Sequence, residues 1–244
     1  MHTIRIHVDA SLAVGLEVPL SGQAAEHVAR VLRLAPGDAI TLFNGDGCDY
    51  PSLIQSTGKR AVIVQVQTVQ RVAKESPLAL TLAQGVARGE KMDLIVQKAT
   101  ELGVVRIVPL LTERSEVRLD ADRAHKRLAR WRAVAIGACE QSGRARIPWI
   151  EPAQTLDAWL EQLDVECGLR LSLLPEEGNA ARELHFTTPA GVLVAGPEGG
   201  LGHRDVRALR VARFDGLRLG PRILRTETAG MAALAALQAI HGDG

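Results

Sequence analysis

Two stretches near the C-terminus combine residue types that suit ligand binding better than packing. The first, residues 191–202, begins with the short apolar run 192–195, and Gly196-Pro-Glu-Gly-Gly200 follows at once. A strand must end there and the backbone must turn, and glycine lets a ligand approach to contact distance. Glu198 is the one ionisable side chain among these glycines. This composition predicts a loop that binds a small molecule.

The second stretch, Leu219-Gly-Pro-Arg-Ile-Leu-Arg-Thr-Glu-Thr-Ala229, leads into the last predicted helix. Thr226 suits the N-cap position, and Glu227 suits the first turn, where a carboxylate opposes the helix dipole. Arg222 and Arg225 lie within the loop, and the guanidinium fork binds anions in a bidentate way. We therefore expect these arginines to contact a ligand.

Common catalytic and nucleotide-binding motifs are absent from the sequence. It contains no Gly-x-Gly-x-x-Gly after a strand, no Gly-x-x-x-x-Gly-Lys-Ser/Thr, no His-Glu-x-x-His and no Gly-x-Ser-x-Gly. The 7 histidines are scattered, and the 3 cysteines, Cys48, Cys139 and Cys167, lie far apart. Without a Cys-x-x-Cys pair they indicate neither a zinc site nor a disulfide framework. We expect no metal and a reducing, cytoplasmic environment.

The overall composition is that of a globular protein without a strong electrostatic preference. Its 244 residues are 46% hydrophobic, which is enough for a substantial core. The net charge of +1 offers no global attraction to nucleic acid or to an anionic membrane, so such binding must come from local patches. No apolar run approaches membrane-spanning length, and the N-terminus lacks the apolar core of a signal peptide. We expect a soluble protein that is not exported.

Residues 1–72 are expected to form a small β-rich domain. Apolar and polar residues alternate over residues 4–8, as in a half-buried strand. Asn44-Gly-Asp-Gly47 follows another strand pattern and is a strong hairpin signal, because Asn-Gly accepts positive φ at little cost. One helix is predicted over residues 27–33. Because acidic and basic residues balance here, charge does not mark this domain as an RNA binder, and a packing module is the alternative.

Residues 73–244 are expected to form an α/β domain with a mostly parallel sheet. Short apolar runs alternate with segments of helical periodicity, which is typical of a sheet covered by helices on both faces. The predicted strands are 78–82, 104–110, 169–174, 192–195 and 214–219, and the predicted helices are 92–102, 121–141, 156–163 and 227–240. Ligands bind at the carboxyl ends of such strands. We expect a site built from the loops 175–179, 196–202 and 220–225.

The last predicted helix, residues 227–240, is apolar nearly all round. A single sheet would bury only one side of such a helix. The surplus apolar surface predicts a homodimer, with burial under the chain's own small domain as the alternative.

Several further motifs are distributed through nearly the whole chain. They are His27-Val-Ala-Arg-Val-Leu-Arg-Leu34 with Pro36-Gly-Asp38, Lys91 with Gln97-Lys-Ala-Thr-Glu-Leu-Gly103, Glu113-Arg-Ser115, and Glu140-Gln-Ser-Gly-Arg144. Together with the two C-terminal stretches, they make the chain resemble the RsmE family of 16S ribosomal RNA uridine N3-methyltransferases, within the knotted SPOUT class. The two C-terminal stretches are the most specific part of this resemblance.

The resemblance implies a fold, a cofactor and a substrate. It implies a PUA-like β-barrel over residues 1–72 that helps to hold RNA, and a SPOUT-type α/β methyltransferase domain over residues 73–244 with a deep trefoil knot. It also implies S-adenosylmethionine bound in the knot loops and a homodimer whose two chains build each site. The methyl acceptor would be N3 of one uridine in the 16S rRNA of assembled small ribosomal subunits.

The matched motifs also assign residues to the site, and the first cofactor loop would be Leu173-Leu-Pro-Glu176. The expected cofactor-binding residues are Leu174, Gly196, Glu198, Gly199, Gly200, Leu219, Gly220, Ile223, Leu224 and Thr226. For catalysis, we expect Arg225 to stabilise the uridine imide anion and Glu198 or Glu227 to accept its proton; Glu198 has fixing of its loop as an alternative role. RNA contacts are expected at Arg5, Arg33, Arg114 and Arg144, each with a surface ion pair as the alternative.

Other functions stay open at this point. A related SPOUT enzyme would methylate a ribose oxygen or another base, and nucleoside analysis would distinguish it. A non-catalytic RNA-binding protein would bind small subunits without binding S-adenosylmethionine. A phosphate-binding metabolic α/β enzyme is a third class.

Overall fold

The computed structural model describes residues 4–58, 61–116, 121–163, 168–174 and 178–243. The chain divides into two compact units, of which the first comprises Met1–Glu75 with Cys139–Ile147 and the second Ser76–Ala138 with Pro148–Gly244. The predicted division after residue 72 lies close to the first of these breaks. The return of a short segment to the first unit was not predicted, because the apolar periodicity of a long helix carries no sign of where its last turn packs.

The first unit is a six-stranded sheet with a short helical segment. The strands are β1 (Arg5–His7), β2 (Glu17–Ser21), β3 (Ala39–Phe43), β4 (Cys48–Thr57), β5 (Ala61–Val66) and β6 (Gln70–Arg71). Their order is β1-β3-β4-β5-β2, with β6 on β4. Only β1 and β3 pair in parallel, and the predicted hairpin residues 44–47 connect β3 to β4. The curled sheet encloses an apolar core that includes Leu42, Ile54 and Val64.

The helical segment of this unit differs from the prediction over residues 27–33. A short α-helix, α1 (Gly22–Glu26), comes first, and a single π-helical turn, His27–Val31, follows it. Val28 on that turn is fully buried. The apolar spacing therefore marked the residues that face the core rather than the start of the helix.

Arg5 and Arg144, two of the expected RNA contacts, have side chains that are largely enclosed in the first unit, 8% and 4% exposed. The Arg5 guanidinium lies 4.5 Å above the ring of Phe43, donates to the carbonyl oxygen of Cys139 at 2.6 Å and pairs with Asp49 at 2.5 Å. Arg144 is 3% exposed and pairs with Glu75 at 2.5 Å. Buried charges need such partners, and a guanidinium engaged in this way has little left for a phosphate. Both guanidinium groups thus take part in the packing of the first unit, and contact of Arg5 or Arg144 with RNA stays a prediction.

The second unit is an eight-stranded, wholly parallel sheet with helices. The strands are β7 (Ala79–Gly85), β8 (Arg106–Leu111), β9 (Trp149–Ile150), β10 (Gln154–Thr155), β11 (Leu169–Leu173), β12 (Asn179–Ala180), β13 (Ala190–Ala195) and β14 (Asp215–Arg218). The order is β10-β8-β7-β13-β11-β14-β12, with β9 on β8. The remaining α-helices are α2 (Lys91–Glu101), α3 (Ala121–Ser142), α4 (Leu156–Glu161), α5 (His203–Val211) and α6 (Thr226–His241).

Burial explains why β7 and β13 lie at the centre of this sheet. Residues 191–195 of β13 are all buried, as are residues 82–85 of β7, because both faces of the sheet are covered. The predicted α/β class with a mostly parallel sheet is thus confirmed. The helix α5 was not predicted. Its apolar and polar residues lie on opposite sides, but the helix is only 9 residues long, is rich in arginine and buries only Asp205 and Leu209, so its apolar side is too short to stand out in the sequence.

Within the described residues, no helix is both long enough and apolar enough to cross a membrane.

Candidate functional site

A cavity of about 660 Å³ opens at the carboxyl ends of β11, β13 and β14 in the second unit. Neighbouring parallel strands deliver their following loops to one edge of the sheet, which is why segments distant in sequence meet there. The lining residues are Lys91, Arg114, Leu173, Leu174, Gly196, Pro197, Glu198, Gly199, Gly200, Leu201, Leu217, Leu219, Gly220, Arg222, Ile223, Leu224, Arg225, Thr226, Glu227 and Ala229.

The cavity brings together every residue that was expected to bind the cofactor or to act in catalysis. The two C-terminal stretches form most of its wall, and Leu173 with Leu174 represents the first expected loop. Pro175 and Glu176 of that loop lie outside the described residues. Arg33, an expected RNA contact, is an exposed residue of the first unit with a φ of 54°. Its contact with RNA stays a prediction.

Thr226 and Gln84 tie the two C-terminal loops together. The Thr226 hydroxyl donates to the carbonyl oxygen of Gly196 at 2.7 Å. The Gln84 amide, at the end of β7, donates to that same oxygen at 3.2 Å and to the Thr226 hydroxyl at 3.2 Å. Gln84 is 0% exposed and Thr226 7% exposed, so these bonds are shielded from water. We call this group the Gln84–Thr226 tie.

The tie corrects the expected role of Thr226 as a helix N-cap. The N-cap of α6 is Arg225, and its side chain makes no capping hydrogen bond. The threonine hydroxyl is used across the loop rather than along the helix, because the Gly196 carbonyl needs a donor in a buried position.

The glycines of the first loop are required by the protein's own backbone. Gly200 has a φ of +70°, a conformation that side chains rarely adopt. A Cβ on Gly196 would lie 2.9 Å from the main chain of Gly200 and Leu201, so the loop closes tightly on itself. The close approach observed at Gly196 is thus between two parts of the same loop, Gly196 and Gly200-Leu201.

Arg114 lies at this loop and lines the cavity, and its contact with RNA stays a prediction. Its guanidinium donates to the carbonyl oxygen of Gly199 at 3.0 Å. The preceding residue, Glu113, is fixed by a reciprocal exchange of hydrogen bonds with the start of α5. The Asp205 carboxylate accepts from the backbone N–H of Glu113 at 3.1 Å, and the Glu113 carboxylate accepts from the backbone N–H of Arg204 at 2.9 Å. The loop after β8 is thereby locked to the start of α5, with Arg114 held against the cavity wall.

Lys91 places one positive charge between two carboxylates of the cavity. Its Nζ lies 3.4 Å from Glu198 Oε1 and 3.7 Å from Glu227 Oε2. Lys91 was matched as part of a motif but was not expected to line the site. Its position at the first residue of α2, just after the loop that leaves β7, is the signal that indicates a role at the sheet edge.

The environment of Glu198 stabilises its charged form. Burial raises the pKa of this carboxyl, but the backbone N–H groups of Arg88 and of Glu198 itself, together with the Lys91 ammonium, outweigh burial and lower the pKa below its ordinary value. The Arg88 N–H donates to Glu198 Oε1 at 3.0 Å. A carboxylate engaged in this way is a weak proton acceptor, and it anchors the loop to the segment before α2.

Glu227 differs from Glu198 because one of its carboxylate oxygens accepts no hydrogen bond from the described residues. Its side chain is 16% exposed, and its buried Oε2 makes no hydrogen bond to any described residue. The Lys91 ammonium, 3.7 Å away, is a loose ion-pair partner of this oxygen, and Glu227 lines the cavity. Across the described ranges, no group of three or more His, Cys, Asp or Glu is arranged to hold a metal ion.

Comparison with known proteins assigns both units. A family model described as RNA methyltransferase domain matches residues 74–238, and one described as RNA methyltransferase PUA domain matches residues 20–67. The Ribosomal RNA small subunit methyltransferase E of Bacillus subtilis is 33% identical over 237 residues, which cover 92% of each chain. The chain belongs to this methyltransferase E family. Its expected SPOUT-type domain and PUA-like domain are thereby confirmed.

Solved structures of methyltransferases align along almost the entire chain. A methyltransferase E from Neisseria gonorrhoeae, bound to S-adenosyl methionine, is 37% identical with a TM-score of 0.94 and covers 99% of both chains. A methyltransferase from Legionella pneumophila, in complex with the bound cofactor SAM, is 39% identical with a TM-score of 0.95 and covers 100% of both chains.

We predict that Lys91→Met raises the pKa of Glu198, because the substitution removes the ammonium that favours the carboxylate. A carbon-detected NMR titration of the Glu198 carboxyl measures this pKa. Lys98→Met, which removes a lysine paired with Glu101 on the same helix, is the control and leaves the Glu198 pKa unchanged. An unchanged pKa in Lys91→Met would assign the whole shift to the backbone N–H groups.

The same titration has a consequence for stability. Because the folded-state pKa is lowered, Glu198 stabilises the fold above its unfolded-state pKa, and this contribution disappears as the pH falls through the lower folded-state pKa. Lys91→Met makes this contribution smaller, and its loss is then complete at a higher pH.

Proposed function

We propose that this protein transfers a methyl group from S-adenosylmethionine to N3 of a specific uridine in the 16S rRNA of the small ribosomal subunit. The observation that carries the proposal is that both C-terminal loops, which hold the family's most specific motifs, line one cavity with Leu174, Arg225 and Glu227. Full-length similarity to two methyltransferases with bound cofactor supports it. A cytoplasmic location, where small subunits are assembled, is part of the proposal.

The cavity has the surfaces that S-adenosylmethionine requires. Leu219, Ile223 and Leu224 provide apolar contacts for the adenine ring. Ile223 is 84% exposed in the protein alone, so covering it with a ring removes apolar surface from water. The main chain around Gly196 and Gly199 offers hydrogen-bonding groups to the ribose and methionine parts. When bound, S-adenosylmethionine supplies an electrophilic methyl group.

The protein's own residues then have three tasks in the reaction. The loops hold the uridine base against the donor, since near-attack positioning is the largest contribution available to a transfer of this kind. The exposed guanidinium of Arg225, on the cavity wall, stabilises the negative charge that develops on the uridine imide. The carboxylate of Glu227, which lines the cavity, accepts the N3 proton, and Glu198 keeps its loop in place.

The proposed activity is tested with unmodified small ribosomal subunits and S-adenosylmethionine, followed by mass spectrometry of the nucleosides. We expect 3-methyluridine as the product. Absence of transfer, or a methyl group on a ribose oxygen or another base, would overturn the proposal. Binding of subunits without any affinity for S-adenosylmethionine would instead indicate a non-catalytic RNA-binding protein.

In the same assay, Arg225→Ala is expected to lower the rate of methyl transfer by roughly a hundredfold or more, because it removes charge stabilisation in the transition state. Cofactor affinity, measured by calorimetry, is expected to remain. Arg218→Ala is the matched control, since Arg218 is exposed just before the loop but does not line the cavity. Loss of cofactor affinity in Arg225→Ala would reassign this arginine to cofactor binding.

We further propose that the protein is a homodimer. The helix α6 buries Ala233, Leu234 and Leu237, yet Ala239 and Ile240 remain exposed, Ile240 by 48%. Such apolar residues on a helix that is already packed on its other side favour contact with a second copy.

Analytical ultracentrifugation tests this association. We expect the wild-type protein to be a dimer at micromolar concentration. Ile240→Glu is expected to raise the dissociation constant of the dimer by roughly tenfold or more, because a buried, unpaired carboxylate is costly. Val211→Glu, which changes an exposed apolar residue on α5, is the control and remains dimeric. A wild-type protein that stays monomeric would contradict the proposal.

A further inference from the structure

Trp149 is an exposed indole in a chain with few aromatic residues. The sequence contains 3 Trp, 1 Tyr and 3 Phe. Trp131 and Trp159 are 2% and 5% exposed, as expected for a large apolar side chain, whereas Trp149 is 58% exposed. Trp149 is not needed for the core, and it does not line the cavity at the carboxyl ends of the strands. Neither packing nor the proposed catalytic site therefore accounts for its exposure.

Two arginines flank this indole. The guanidinium of Arg132, from α3, lies 5.4 Å from the ring centroid of Trp149. Arg106 of β8 is directly opposite Trp149 of β9 in the parallel register, so both side chains emerge on the same face of the sheet. Arg106 is 54% exposed and has only a loose surface ion pair, 3.4 Å long, with Glu151. We call Trp149, Arg106 and Arg132 the Trp149 patch.

We propose that the Trp149 patch binds a nucleotide of single-stranded RNA, with its base stacked on the indole and its phosphate held by Arg106 and Arg132. Aromatic rings accept any nucleobase by stacking, and the guanidinium group is the side chain best suited to a phosphate. The inference rests on the proposed function, because that function makes RNA the substrate. The patch would hold the rRNA strand at a second point, outside the cavity that takes the target uridine.

The composition of the patch favours RNA over a protein partner. Trp and Arg are also frequent at the centres of protein interfaces, but there they lie within a continuous apolar surface. Here a single ring is flanked by two cations and one carboxylate, Glu151, and β9 is only 2 residues long. An isolated ring between cations matches the alternation of base and phosphate in a nucleic acid strand.

The test uses the intrinsic fluorescence of the full-length protein, because Trp149 is its one exposed tryptophan and acrylamide quenches mainly exposed indoles. We expect a single-stranded oligouridylate of about 12 nucleotides, within the range of strand lengths that one binding module covers, to protect Trp149 from acrylamide. Heparin, which has charge but no bases, should leave the ring accessible. Trp149→Ala is expected to weaken binding of the oligonucleotide by about tenfold, with a smaller loss for Trp149→Phe, which keeps a ring.

Two matched variants show whether the binding depends on the patch itself. Arg132→Gln should also weaken oligonucleotide binding, whereas Val211→Ala, which trims another exposed apolar side chain of the same unit, should not. Thermal denaturation checks that each variant is folded, and replacing an exposed ring empties no core. Unchanged quenching of Trp149 by acrylamide when the oligouridylate is bound would overturn the inference.

Two further outcomes identify what else would be wrong. If acrylamide quenching of Trp149 decreases when the concentration of the protein alone is raised, the patch is an interface between copies of the chain. That result would also overturn the inference. Because methylation of small subunits is measured separately, a wild-type enzyme that forms 3-methyluridine while Trp149→Ala binds RNA normally would refute only the patch. Failure of wild-type methylation would refute the proposed function itself.

Discussion

The Gln84–Thr226 tie is the interaction on which the cavity depends. It satisfies the partly buried Gly196 carbonyl with two donors, of which Gln84 is fully buried and Thr226 is 7% exposed. The donors come from the end of β7 and the start of α6, so three segments distant in sequence are fixed at one point. Leaving such a buried carbonyl without a donor costs about 1–3 kcal/mol, which is enough to separate an ordered loop from a disordered one.

Around this tie, the charged residues of the site divide into those that hold the loops and those available to a substrate. Glu198 is committed to Lys91 and to the Arg88 N–H, and Arg114 is committed to the Gly199 carbonyl. Arg225 and Glu227 line the cavity, Glu227 with only a loose 3.7 Å ion pair to Lys91, and they are the residues that we propose for the chemistry. Rigid support of this kind lets a site hold two reactants in reacting geometry without using binding energy to order its own loops.

Periodicity and glycine content predicted much of this architecture, because they report local requirements. The longer strands β7, β8, β11, β13 and β14, the helices α2 and α6, and the loop at Gly196 were predicted in this way. The two-residue strands β9, β10 and β12 were not. The contacts that the sequence did not reveal join residues that are distant from each other in the chain. The ion-pair partners of Arg5 and Arg144 lie far from them in the sequence, so the burial of their side chains was not visible there. Thr226 looked like an N-cap because its acceptor belongs to another loop. The function was predicted from motifs that match a known family. Periodicity, charge and glycine content alone did not predict it.

The central claim, that the tie organises both cofactor loops, is tested most directly by calorimetry of S-adenosylmethionine binding to Thr226→Val. This substitution keeps the shape of the side chain and removes the donor. The claim predicts an affinity about tenfold weaker, equivalent to about 1.4 kcal/mol, while Thr228→Val, at an exposed position of the same helix, binds normally. Equal affinities for the wild-type protein and Thr226→Val would contradict it.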